Sequence, residues 1–172
     1  MQNILSIIFE RCSVRNYTDQ LVSDTQIETL IRAAMAAPSA KNVQPWHFVV
    51  VKETDTLERL STVLPYAKMI VQAPLAIAIC GDTESSKEVA ENSWVMDCSA
   101  ATENLLLAAH VIGLGAVWTG VYPYPDRMKA VHEALDLPVN ISPLNVVAIG
   151  YSLNEQSAKD KWKPERIHFE KW

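Results

Sequence analysis

The segment from Ser86 to Ile112 constrains what this chain can fold into more than any other. It is the longest helix candidate. Its apolar residues, Trp94, Val95, Met96, Cys98, Ala100, Ala101, Leu105, Leu106, Leu107, Ala108, Ala109, Val111 and Ile112, form no single narrow stripe. A helix that is apolar nearly all round must be covered on several sides, inside a large core or between subunits. Its small residues allow neighbouring helices to pack closely, and Gly113 ends it. It is not a membrane span: the apolar run "LLLAAHVIGLGAVW" falls short of the ~18 residues a bilayer crossing takes, and it holds His110 and two glycines. The chain has 172 residues, enough for one domain with a real core.

The other elements arrange themselves around that helix. Ile4 to Glu10 reads as a short helix. Ser23 or Asp24 caps a second, with Ile27, Leu30, Ile31, Ala34 and Met35 on one face and an end before Pro38. Trp46 to Val51 reads as a strand, and Thr54 to Leu64 as a helix with Leu57, Leu60 and Leu64 spaced by three and four. "PLAIAIC" is a continuous apolar run, which suits a strand covered on both faces. "GAVWTGV" is a strand or strand edge, Pro125 to Leu135 a helix, and "NVVAIGY" a strand. Helices alternating with about four strands mean an α/β or α+β class. No repeat and no Gly/Ser linker divides residues 1–172, so a single domain is expected. The last stretch, residues 152–172, is charged yet holds Trp162, Phe169 and Trp172. It reads as an extended arm that docks on a surface.

Charge and cysteine usage exclude several classes. The net charge is -5, and no basic run is long enough to follow a nucleic-acid backbone, whose affinity comes largely from Lys and Arg. The three cysteines, Cys12, Cys80 and Cys98, are widely spaced with no CxxC, which fits neither a disulfide framework nor a zinc site and suits a reducing cytoplasm. The N-terminal "MQNILSIIFERC" has no basic n-region and no small-residue cleavage site, so a soluble intracellular chain is expected. "GLGAVWTGV" spaces Gly115 and Gly120 as a phosphate loop would, but Val121 stands where lysine is required. Val117 and Trp118 break a GxGxxG reading, and five glycines leave no room for a dinucleotide fingerprint elsewhere. His47, His110, His132 and His168 lie far apart without metal-ligand spacing, and no serine sits in a GxSxG elbow.

Two segments carry the remaining chemistry. In "RCSVRNY", Arg11 to Tyr17, Arg11, Ser13 and Arg15 alternate, so an extended backbone would point two guanidiniums and a hydroxyl the same way. The planar fork of arginine suits phosphate. On this segment alone, two solvated arginines after a short helix are the better explanation of the pattern. In "PSAKNVQPWHFVVV", Pro38 to Val51, a polar cluster stands directly before a strand. Ser39, Asn42 and Gln44 serve either the loop backbone or the edge of a polar heterocycle. Together the segments offer an anion site and neutral amides.

Taken jointly, "RCSVRNY" and "APSAKNVQPWHFVVV" resemble the nitroreductase family of FMN-dependent oxidoreductases. So do "YAKMIVQAPLAIAICGD", "DCSAATENLLLAAHVIGLGAVWTGVYP", "VVAIGY" and the tail "ERIHFEKW", and the resemblance to the short single-domain members covers the whole chain. It implies an α+β fold, a central mostly antiparallel sheet flanked by helices, in an intertwined homodimer with FMN at the interface. It implies that Arg11 and Ser13 contact the phosphate and ribityl chain, with Cys12 counted in the same cofactor-binding set, and that Arg15 lies near the ribityl and pyrimidine side. Pro38, Ser39 and Ala40 would lie along the flavin from the partner subunit, and Asn42 would bond its polar ring edge. Thr119 and Gly120 would sit at a strand edge near flavin N5, and Arg166 would be a second phosphate-binding arginine. Larger members often carry an acidic residue where Thr119 stands, which leaves hydrogen bonding there to backbone N–H.

The implied reaction is hydride transfer from NADH or NADPH to FMN, then reduction of a small electron-poor acceptor such as a nitroaromatic or quinone, in ping-pong order. No catalytic side chain and no metal is required. Two other readings stand beside it: a flavoenzyme of the same fold with different chemistry, such as reductive dehalogenation, and an FMN-binding redox module without turnover.

Overall fold

A computed structural model describes residues 4–87, 89 and 91–172. The chain begins with α1 (Ile4–Glu10), an extended segment through Tyr17, and α2 (Asp24–Met35). Ser23 starts α2 with a capping box: its hydroxyl accepts from the Gln26 N–H, and the Gln26 side chain accepts from the Ser23 N–H. Strand β1 (Trp46–Val51), helix α3 (Thr54–Val63) and strand β2 (Leu75–Asp82) follow. After them come α4 (Thr83–Ser86), α5 (Ser93–Val111), β3 (Gly115–Gly120), α6 (Pro125–Ala134) and β4 (Ile141–Gly150).

The four strands form one sheet in the order β1-β2-β4-β3, antiparallel throughout. The class is α+β, and helices cover both faces. Alternation along β2 builds the two cores. Ala76, Ala78 and Cys80 face one layer with Leu57, Leu60, Ile70 and Val131, while Leu75, Ile77 and Ile79 face the other with Leu30, Trp94, Cys98 and Leu105. Cys80 and Cys98 therefore belong to opposite faces of the sheet, and both are free thiols. The strand "PLAIAIC" is covered on both sides, as its continuous apolar run requires.

One expected element divides. The helix expected from Ser86 begins at Ser93, and Thr83–Ser86 forms a separate turn of helix. The Asp82 carboxylate starts that turn by accepting from the Glu84 and Ser85 N–H groups, and Lys87 pairs with Glu84 at 2.7 Å. These local polar contacts belong to the short helix alone. The α5 helix packs Trp94, Cys98, Ala101, Leu105 and Ala109 against the sheet and α2. Met96 on its other side is exposed, as is Met35, which was expected on the buried face of α2. Gly113 closes α5 with φ +78°, a left-handed conformation that suits glycine. Residues 152–172 are almost all exposed, Trp162, Phe169 and Trp172 among them. No helix among the described residues is long and apolar enough to cross a membrane.

Candidate functional site

Strand β3 is an edge strand, and the segment from Arg11 to Tyr17 lies along its beginning. Ser13 bridges Ala116 in parallel, and the Val14 N–H donates to the Ala116 carbonyl at 3.1 Å. Tyr17 fixes the segment from below. Its hydroxyl donates between the carbonyls of Val14, at 2.6 Å, and Ala148, at 3.1 Å. Burial pushes its phenol above the usual range, so it stays a donor. The approach is close because position 115 has no side chain. A Cβ on Gly115 would stand 2.7 Å from three side-chain carbons of Val14.

Val14 and Tyr17 are buried and Arg15 and Asn16 are exposed, while Arg11, Cys12 and Ser13 are all half-buried, so the segment does not keep the strict alternation expected of an extended backbone. Arg11, Cys12, Ser13 and Arg15 line one cleft of about 400 Å³ with residues 156–159 and Lys161 of the arm. Arg11 is largely buried at 17 % exposure, and its Nε lies 3.5 Å from Glu103 on α5. Among the described residues, Arg15 has no hydrogen bond or ion pair, and neither does the Ser13 hydroxyl. With Lys159 and Lys161 the cleft gathers four cations on a chain whose net charge is -5. Its wall is suited to a dianion, which would gain charge-assisted hydrogen bonds from the arginine forks.

Farther along the same edge the strand is open. Val121 donates to the Leu144 carbonyl on the β4 side, while the Gly120 carbonyl accepts from Arg127 Nη1 at 3.1 Å on the other. By strand alternation the Gly120 N–H also faces outward. A Cβ at Gly120 would meet nothing within 4 Å, so the space beside it is free. Thr119 turns the other way: it is buried, and its hydroxyl donates to the Val146 carbonyl. Of this pair, only Gly120 presents a donor to the open edge, and the Thr119 side chain serves the sheet. Gly120 lies four residues beyond Ala116, or about 13 Å along the strand.

The loop from Pro38 to Gln44 is built differently. Lys41, Asn42 and Gln44 have φ of 49°, 58° and 54°, an unusual run for side-chain-bearing residues. Ser39 Oγ accepts from the Gln44 N–H at 3.0 Å, and Asn42 Oδ1 accepts from Gln44 Nε2 at 2.8 Å. The Ala40 N–H donates to Asp97 Oδ1 on α5 at 3.0 Å. Within one chain, then, the Ser39 and Asn42 side chains hold their own loop. The loop leads into β1 through Trp46, which is buried. Since β1 and β3 are opposite edges of the sheet, three strand spacings of about 4.8 Å, or about 14 Å in all, separate the loop's edge from the cationic edge.

One protomer thus brings together Arg11, Cys12, Ser13 and Arg15, with Gly120 farther along their edge. It leaves Pro38, Ser39, Ala40 and Asn42 at the other edge. Arg166 sits in the arm and lines neither of the two clefts shared by Arg11 and the arm. Lys159 and Lys161 were missed, although their alternation in "AKDKWK" repeats the pattern of the arginines. Asp97 and Arg127 were missed because only the fold brings them to Ala40 and Gly120. Among the described residues, no three His, Cys, Asp or Glu side chains gather as a metal site.

Comparison with known proteins agrees along the whole chain. The sequence pattern of the Nitroreductase family matches residues 8–64 and 61–151. A protein of Archaeoglobus fulgidus, provisionally named NADH dehydrogenase/NAD(P)H nitroreductase, is 47% identical over 175 residues, covering 100% of both chains. A crystal structure of a similarly named protein from Parabacteroides distasonis superposes with a TM-score of 0.96 at 45% identity, covering 100% of each chain. A provisionally named nitroreductase from Desulfovibrio desulfuricans, solved in complex with FMN, has a TM-score of 0.85 at 28% identity and covers 100% of this chain and 99% of its own.

Proposed function

The chain belongs to the nitroreductase family, and from that premise we propose that it is a homodimeric, FMN-dependent NAD(P)H oxidoreductase that reduces a small electron-poor acceptor in ping-pong order. That it is an oxidoreductase using FMN and NAD(P)H follows from the family and its relatives. The acceptor class, a nitroaromatic, quinone or similar compound, the reaction order and the residue roles are our reading.

The residues fit the cofactor. The cleft of Arg11, Ser13 and Arg15 offers cationic and hydroxyl donors to a phosphate and its sugar chain, and no heavy atom crowds the place of a Gly120 side chain, which leaves that part of the strand open to an approaching ring. Bound there, FMN would supply the two-electron chemistry, accepting hydride from NAD(P)H and passing it on. Arg11 and Ser13 would hold the phosphate, and Cys12 would contribute backbone between them. Arg15 would stabilise negative charge on the reduced ring. The Gly120 N–H would donate to the ring edge. Arg166 would reach the phosphate when the arm docks.

A single observation carries the dimer: the cationic edge and the Pro38–Asn42 loop lie on opposite edges of one sheet. We read that separation as the mark of a site completed by a second copy, whose loop would meet the cationic edge of the first. Exposed Ile8 and Phe9 on α1, Met96 on α5, and Trp162, Phe169 and Trp172 in the arm support this, since a monomer leaves them in water. The expected setting is the cytoplasm, where NAD(P)H is available.

Anaerobic titration tests the reading. NADH or NADPH should bleach the flavin absorbance stoichiometrically, and a nitroaromatic or quinone added afterwards should restore it. A flavin that stays oxidised would make the protein an FMN-binding module without turnover.

A further inference from the structure

We propose that Arg127 makes the open edge of β3 selective for acceptors that carry a negative charge, such as aromatic carboxylates, an inference that rests on the functional reading above. Arg127 stands in the first turn of α6 and donates through Nη1 to the Gly120 carbonyl at 3.1 Å. Its guanidinium carbon lies 3.8 Å from the centroid of the Tyr124 ring. The ring and the carbonyl together hold the planar fork in one orientation at the end of the strand.

The charge of that fork is not spent inside the protein. Among the described residues, no carboxylate lies within ion-pair distance of Arg127, and its neighbour Asp126 forms no pair with it. Its one hydrogen bond uses one of five N–H donors. The start of α6 adds partial positive charge in the same place. Tyr124 remains half-exposed, leaving an aromatic surface beside the cation. Capping the Gly120 carbonyl would need only a neutral donor. A half-buried, unpaired guanidinium against an exposed ring, next to the strand edge where hydride transfer is expected, fits an aromatic acceptor with an anionic substituent. That substituent would take the free face of the fork in charge-assisted bonds.

The test uses the oxidised, FMN-loaded protein, with binding read from the shift it causes in the flavin spectrum. The probes are 4-nitrobenzoate and its neutral counterpart 4-nitrobenzyl alcohol. The wild type should bind the carboxylate at least about tenfold more tightly than the alcohol. Arg127→Gln keeps a donor for the Gly120 carbonyl and should bring the two affinities together. Arg127→Lys keeps the charge and should retain most of the preference. Each variant is compared at matched FMN content. Equal affinities in the wild type would overturn the inference, as would a full preference in Arg127→Gln. If the protein takes up no FMN, the functional reading fails and this inference fails with it. If FMN is bound and bleached by NAD(P)H but no preference appears, this inference alone fails.

Discussion

Replacing Arg11 by alanine separates a binding role from a structural one, and the structure sets the size of each. Within the fold Arg11 makes one ion pair, to Glu103 at 3.5 Å, and the Glu103 side chain is 52 % exposed. A pair open to solvent on one side contributes about 0.2–1 kcal/mol. A charge-assisted contact with a phosphate is worth about 1.5–3 kcal/mol, which corresponds to an FMN dissociation constant raised roughly 10- to 150-fold. Arg11→Ala should therefore weaken FMN binding far more than it weakens the apo-protein. Affinity is read by titrating apo-protein with FMN and following flavin fluorescence, and stability by urea unfolding without FMN. Glu103→Gln supplies the control, since it removes the same ion pair while leaving the guanidinium in place. It should lower apo stability by a similar small amount and leave FMN affinity undiminished. An unchanged FMN affinity in Arg11→Ala would remove the residue from the site. A loss of apo stability as large as the loss of affinity would make its role structural.

Other expectations follow from particular contacts. Gly115→Ala forces a Cβ to 2.7 Å from Val14 and should destabilise by about 1–3 kcal/mol while weakening FMN binding, because the Arg11–Arg15 segment must move; wild-type FMN affinity would show that the segment tolerates displacement. Burial raises the Cys80 thiol to about 12 and pushes Cys98 and Tyr17 up as well. Unfolded thiols ionise near pH 8.5, so between about pH 9 and 12 the folded chain binds more protons than the unfolded one, and stability falls with rising pH by about 1.4 kcal/mol per unit for each buried thiol. Urea midpoints measured from pH 7 to 11 should be level at first and then fall, and a flat profile would contradict the burial. Deleting residues 158–172 removes Arg166 and all three exposed aromatics of the arm, and should release FMN and loosen the dimer together; light scattering with flavin absorbance on the truncated protein decides this.

The sequence made local features legible and left the tertiary ones hidden. The Ser23 cap and the two-sided burial of "PLAIAIC" depend on neighbours within a few residues, whereas the Arg11–Tyr17 segment loses its strict alternation where it is pinned beside β3. The exposure of Met35 is different, because nothing in its own helix tells a core-facing methionine from one on an outer face. The sequence pattern also runs α5 back to Ser86, where the chain instead ends a separate short helix capped by the Asp82 carboxylate. The Thr119 side chain faces the sheet because of the register of β3 on β4, which pairs it with Val146. Lys159 and Lys161 joined the site only when the arm's path was known. The separation of the Pro38–Asn42 loop from the arginines is a property of strand order, which alternation within one strand cannot reveal.

That separation supplies the most direct test, through hybrid dimers. One variant, Arg11→Ala with Arg15→Ala, disables the cationic edge. The other, Asn42→Pro, disables the loop, because proline cannot adopt the φ of 58° found there. Each alone should bind little FMN. Co-expressed and randomly paired, they should form hybrids with one intact site each, restoring about a quarter of all sites. Flavin absorbance per chain in the purified mixture measures this. Recovery toward that fraction is what a site shared between two chains predicts, and a mixture as colourless as its parents would show that each site draws both groups from a single chain.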